Sequence, residues 1–123
     1  MAKVTGIGGL FFRADDPKGL AQWYAQHFGI TEVPTSYDAE PWTQEAGATV
    51  FAPFKRDTGY FGRAEQEWML NLRVDDLDGM VRQLKSAGIE VAVDPETYPN
   101  GRFARLHDPE GNPIELWQPE TPK

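Results

Sequence analysis

Apolar positions recur at helical spacing in two places along the chain. Between Asp16 and Gly29 they are Leu20, Ala21, Tyr24 and Phe28; between Asp76 and Gly88 they are Leu77, Met80, Val81, Leu84 and Ala87. Each run has an acidic N-cap acceptor before it and a glycine stop after it. The first also carries Pro17 at the opening helical position, where no backbone N–H is needed. Elsewhere apolar and polar residues alternate with a period of two, which predicts strands over residues 4–14, 31–37 (broken near Pro34), 42–45 and 48–54. The last two form a hairpin about Ala46-Gly47. A polar connector over 55–67, with a turn at Thr58-Gly59, separates these from strands at 68–74, 89–93, 102–107 and 113–118, with a loop over 95–101. The Gly6-Ile-Gly-Gly run precedes a strand rather than opening a helix, so it is not a dinucleotide loop.

The second set of elements repeats the first. Phe12-Arg-Ala-Asp-Asp-Pro-Lys-Gly-Leu20 lies on Leu72-Arg-Val-Asp-Asp-Leu-Asp-Gly-Met80, with Arg, both Asp and Gly identical at a spacing of 60. Gly29-Ile30 lies on Gly88-Ile89, and Gly47–Phe51 can be laid on Gly111–Glu115 with the glycine shared. A βαβββ unit used twice predicts an α+β fold in a single domain over 1–123: module one about 4–54, the connector 55–67, and module two about 68–118. Units this short bury their apolar faces against each other.

The segment His107–Gln118 carries the main chemical question. Asp108-Pro109 and Gly111 are turn residues, and beyond Pro113 the alternation puts Ile114 and Leu116 on one face and Glu115 and Trp117 on the other. With the aliphatic pair in the core, Glu115 points into whatever the sheet encloses, and an enclosed carboxylate needs partners. The same alternation turns Met69, Asn71 and Arg73 inward, and by the repeat Gly9, Phe11 and Arg13; Phe103, Arg105, His107 and Phe51 complete the hollow. Each has a plainer reading. Arg13 and Arg73 can pair with the helix-capping acids, Arg105 with Glu115 across adjacent strands, and His107 with backbone at the turn, while Phe51, Phe103 and Trp117 can be packing aromatics. Together they match a small-molecule site, apolar walls with a few convergent polar groups. Tyr60-Phe61-Gly62 and Tyr98–Arg102 flank its mouth, and their aromatics could equally form a dimer contact.

Composition narrows the classes. A net charge of −7 without a basic cluster argues against nucleic acid as a partner. No run is apolar enough to span a bilayer, and the N-terminal residues lack a signal-peptide pattern, so a cytoplasmic protein is expected. There are no cysteines, hence no disulfides or thiolate ligands.

The duplicated unit and the closing Asp108-Pro-Glu-Gly-Asn-Pro-Ile-Glu-Leu-Trp117 run resemble the vicinal-oxygen-chelate superfamily of glyoxalases, bleomycin-resistance proteins and extradiol dioxygenases. The resemblance covers nearly the whole chain and implies two βαβββ modules forming a cup-shaped mixed sheet with helices outside. Metal enzymes of the group place ligands on the first and last strands of each module. Carried over, those positions are Gly9, Phe51, Met69 and Glu115, of which only Glu115 suits a hard or borderline divalent ion. The chain's histidines, His27 and His107, do not complete a set: His27 sits at a helix end and His107 adds one ligand at most. No metal and no other cofactor is expected. The resemblance leaves three functions open. One is a metal-independent binding protein for a small molecule with an apolar body and an anionic end held by arginine. Another is a glyoxalase-like lyase or isomerase with Glu115 as base and His107 as acid. The third is sequestration of a drug, as in bleomycin resistance. A homodimer is expected in each case.

Overall fold

A computed structural model describes residues 2–120. Helix α1 spans Pro17–Phe28 and α2 spans Leu77–Ser86. Both begin the same way: the Asp16 carboxylate accepts from Gly19 N at 3.1 Å, and Asp76 from Gly79 N at 3.0 Å. A Cβ on either glycine would stand 2.3 Å from its capping carboxylate oxygen, which accounts for the paired Asp and Gly of the repeat.

Strands β1 (Leu70–Arg73), β2 (Ala92–Val93), β3 (Gly101–His107) and β4 (Pro113–Pro119) form one sheet in the order β1-β4-β3-β2. β1 runs parallel to β4, and the other pairs are antiparallel. With α2 between β1 and β2, the second half of the chain is a complete βαβββ unit. Both helices cover one face of the sheet. Leu20 and Tyr24 of α1 and Leu77, Val81 and Leu84 of α2 pack on Ala104, Leu106, Ile114 and Leu116, all nearly or fully buried. Ala87, at the end of the helical stripe, is exposed.

The turn between β3 and β4 locks α1 to this unit. Asp108 is 4% exposed, and its carboxylate accepts from Glu110 N (2.9 Å), Asn112 N (3.0 Å), Asn112 Nδ2 (2.8 Å) and the Tyr24 hydroxyl (2.7 Å). A buried carboxylate with four donors is fully satisfied, so the turn is rigid. Gly111 makes it possible, with φ +81, a conformation that side-chain-bearing residues resist. Next to it the Glu110 carboxylate accepts from the backbone N–H groups of Asp15 (2.6 Å) and Asp16 (3.0 Å), fixing how the chain approaches α1.

The first half departs from expectation. Residues 4–14, 31–37, 42–45 and 48–54 form no strands, and of the first βαβββ unit only the helix is present. A strand needs a neighbour for its N–H and C=O groups. Two of the acceptors in the expected hairpin go elsewhere: Arg73 donates from Nη2 to Glu45 O at 2.7 Å and from Nη1 to Ala48 O at 2.5 Å. Pro34, Pro41 and Pro53 offer no N–H, and Gly6, Gly8 and Gly9 no side chain to pack. Large apolar residues consequently face solvent, Phe11 at 95% and Val4 at 88% exposure among them.

Because the Tyr24 hydroxyl is a buried donor to a charged acceptor, Tyr24→Phe is expected to lower unfolding free energy by about 1.5–3 kcal/mol. Urea denaturation measures this, and an unchanged midpoint would contradict the role of the turn.

Candidate ligand-binding site

The sheet face away from the helices presents its side chains in rows. Register places Asn71 of β1, Glu115 of β4 and Arg105 of β3 side by side, and Arg73, Trp117 and Phe103 in the next row. Since Ile114 and Leu116 are fully buried under the helices, the intervening residues must point the other way.

Glu115 is 9% exposed, and both carboxylate oxygens are engaged. Asn71 Nδ2 donates to Oε1 at 2.7 Å, and the Tyr60 hydroxyl donates to Oε2. Arg105 does not pair with Glu115. Its guanidinium lies over the Tyr60 ring, 4.4 Å from the centroid, and donates from Nη2 to Tyr60 O at 2.6 Å. Among the described residues the salt bridges are Arg63–Glu65 and Arg102–Asp78. Burial, then the hydrogen bond and the negative charge of Glu115, push the Tyr60 hydroxyl up to about 12, so at neutral pH it is a phenol and a donor.

Glu115, Asn71 and Tyr60 border a cavity of about 830 Å³ whose walls include the rings of Phe51, Phe54, Phe61, Trp68, Phe103 and Trp117, with the exposed Lys55, Arg56 and Glu67 also bordering it. Trp117 is anchored by its indole N–H, which donates to Asn100 O at 2.8 Å. Phe54 stacks on Tyr60 with centroids 5.9 Å apart and touches Phe61 at 5.1 Å. A second hollow, about 900 Å³, holds Arg105 and His107 beside Ile89 and Val91. Of the two, the first is the one bordered by the buried acid.

Of the expected residues, then, the cavity brings together Phe51, Asn71, Phe103, Glu115 and Trp117. Phe11 and Arg13 are exposed and outside it. Arg73 is held by the backbone carbonyls of Glu45 and Ala48. His107 lies in the second hollow, so Glu115 and His107 are not joined as base and acid. Sequence reasoning put Tyr60 at the mouth but missed its bond to Glu115. The available signal was the inward carboxylate itself, which demanded donors, but the strands already offered Asn71 and Arg105 as candidates.

The family model described as glyoxalase-like domain matches residues 9–117. The chain belongs to this family. It is therefore a glyoxalase-like member of the vicinal-oxygen-chelate superfamily, with an α+β fold. A protein from the mobile metagenome of V. pseudocholerae superposes with a TM-score of 0.62 at 18% identity, covering 98% of this chain and 99% of its own. Lactoylglutathione lyase from Agrobacterium tumefaciens gives 0.60 at 19% identity, covering 95% and 96%. At these identities the likeness is one of fold. TnmS3, an antibiotic binding protein from Streptomyces sp. CB03234, is 39% identical, but the match covers 45% of this chain and 46% of that one, with a TM-score of 0.40. This chain thus spans less than half the length of TnmS3. No curated protein matches the chain.

The residues of this glyoxalase-like chain do not fit the divalent ion that metal enzymes of the superfamily hold. The partners of Glu115 are a phenol and an amide, and among the described residues no three His, Cys, Asp or Glu side chains come together. Around position 9 the Phe11 ring stands 3.3 Å from where a glycine Cβ would be.

Since folding raises the Tyr60 hydroxyl from 10.0 to about 12, its contribution to stability is complete below pH 10 and is lost as pH rises toward 12, the unfolded chain ionising first. Tyr60→Phe is accordingly expected to lose stability less steeply than the parent across that alkaline window in thermal melts. Equal slopes would contradict a hydroxyl held as a donor by Glu115.

Proposed function

We propose that this glyoxalase-like protein is a metal-independent binding protein for a small molecule with an apolar, aromatic-compatible body and a hydrogen-bond-donating end, an ammonium or a hydroxyl. One observation carries the reading: among the described residues, Glu115 is the one buried charged side chain on the wall of a cavity rich in aromatic rings, and it is held by hydrogen-bond donors. Aromatic rings supply area for a flat apolar body, and a buried carboxylate rewards a donor. An anionic end, expected from the arginines, fares less well. Arg73 and Arg105 already donate to backbone carbonyls and neither lines this cavity, while the cations that do line it, Lys55 and Arg56, are exposed side chains of the chain crossing it. The net charge of −7 also favours a cationic ligand over an anionic one during encounter. Proton abstraction by Glu115 would first require the Tyr60 hydroxyl to leave, and His107 lies elsewhere, which supports binding over lyase chemistry.

A homodimer is part of the same proposal. The repeat gives residues 9–13 the character of residues 69–73, yet within one chain they lie unpaired and exposed. Meanwhile β1 forms an open sheet edge that a second copy's segment could extend.

Titration calorimetry with naphthylmethylamine, naphthalenemethanol, naphthoate and methylnaphthalene tests the ligand class. The amine and alcohol are expected to bind more tightly than the other two, unchanged by EDTA, and Glu115→Gln to weaken the amine by about tenfold or more. A preference for naphthoate, or binding that EDTA abolishes, would contradict the reading. Sedimentation velocity at micromolar concentration is expected to give the mass of two chains, and a monomer would contradict the pairing.

A further inference from the structure

Among the residues lining the two hollows, Tyr60 alone belongs to both walls. Its hydroxyl meets Glu115 in the aromatic cavity, while its ring lies under the Arg105 guanidinium on the side of the second hollow. Asn71, the other donor to Glu115, is fixed in β1 by the strand's register with β4. Tyr60 has no such restraint. It sits in a connector without regular structure, is 39% exposed, and lies between Gly59 and Gly62, the latter at φ +90.

We propose that Tyr60 is a specificity-determining residue that acts as a built-in stand-in for the ligand: its hydroxyl occupies the place on Glu115 Oε2 that the ligand's donor takes, and it withdraws toward Arg105 when the ligand binds. This rests on the binding reading above and adds the residue that sets its selectivity. A carboxylate this deeply buried cannot stand empty between ligands without a large desolvation cost. The phenol meets that need and imposes a threshold. A ligand must offer a donor at least as good as the hydroxyl it displaces, and a purely apolar molecule gains nothing by pushing it aside. Withdrawal keeps the other Tyr60 contacts available, since the ring's cation–π partner and the acceptor bond of its carbonyl both come from Arg105.

Thermodynamically the phenol is a competitor in the free state, and removing a competitor raises apparent affinity by the reciprocal of the fraction of protein it had left open. Tyr60→Phe preserves the ring, and with it the Arg105 contact and the stack on Phe54, so the cavity wall is retained. The experiment is calorimetry of the full chain, parent against Tyr60→Phe and Glu115→Gln, with naphthylmethylamine and methylnaphthalene as probes. Naphthylmethylamine is expected to bind Tyr60→Phe about tenfold more tightly than the parent, while methylnaphthalene changes by less than about twofold. Weaker amine binding to Tyr60→Phe would overturn the proposal by showing the hydroxyl to be a ligand contact, and unchanged binding would overturn it by showing that no displacement occurs. In either case, a loss of amine affinity in Glu115→Gln would leave the binding reading intact. If the amine binds neither the parent nor Tyr60→Phe, both are wrong.

Discussion

The whole site depends on one constraint: a carboxylate enclosed by a sheet must have its oxygens met by donors. Glu115 stands in the middle of the β1-β4-β3 face, and the donors come from opposite directions, Asn71 from the neighbouring strand and Tyr60 from the connector folded across. The connector's position follows from this need. Its composition is mainly polar, and the Tyr60 hydroxyl, the Tyr60 carbonyl and the packing of Tyr60 and Phe61 on Phe54 are among the contacts that tie it down. The same bonds engage Arg105, which would otherwise have been the obvious counter-ion for Glu115 on the adjacent strand.

Glu115 points inward because of a second carboxylate in the turn that leads into its strand. Asp108 organises the turn from β3 to β4 through three donors of its own loop, and the turn sets the register of the two strands. A slip of one residue would bring Glu115 into the helix-covered core and Ile114 into the cavity. Tyr24 reaches the same carboxylate from α1, so the helix that helps bury Ile114 and Leu116 is anchored to the turn that aims Glu115. Burial also raises the Tyr24 hydroxyl well above its ordinary range, which keeps it a donor there.

What could be read from the chain was what local chemistry decides. The helix starts were legible because Asp16 and Asp76 are N-cap acceptors placed just before apolar residues at helical spacing, and the faces of β3 and β4 because Ala104, Leu106, Ile114 and Leu116 alternate with larger or polar residues. Less legible was anything requiring a partner distant in sequence. Residues 4–14 alternate like a strand, yet alternation reports only which face a strand would bury and not whether an edge is there to receive it. The bond between Tyr60 and Glu115 spans 55 residues and leaves no periodic trace. The arginines' partners were illegible for a related reason: charge type suggested an anion or a carboxylate, whereas Arg73 and Arg105 donate to backbone carbonyls that only the fold brings near.

The direct test is carbon NMR of the protein labelled at glutamate side-chain carboxyls, with the Glu115 resonance assigned by its absence in Glu115→Gln and followed as naphthylmethylamine is added. A buried acid that exchanges an internal phenol for a ligand's donor is expected to show a saturable shift at Glu115 while exposed glutamates such as Glu65 and Glu96 stay in place. A Glu115 signal that stays fixed, or that moves only together with the surface carboxylates, would contradict the account.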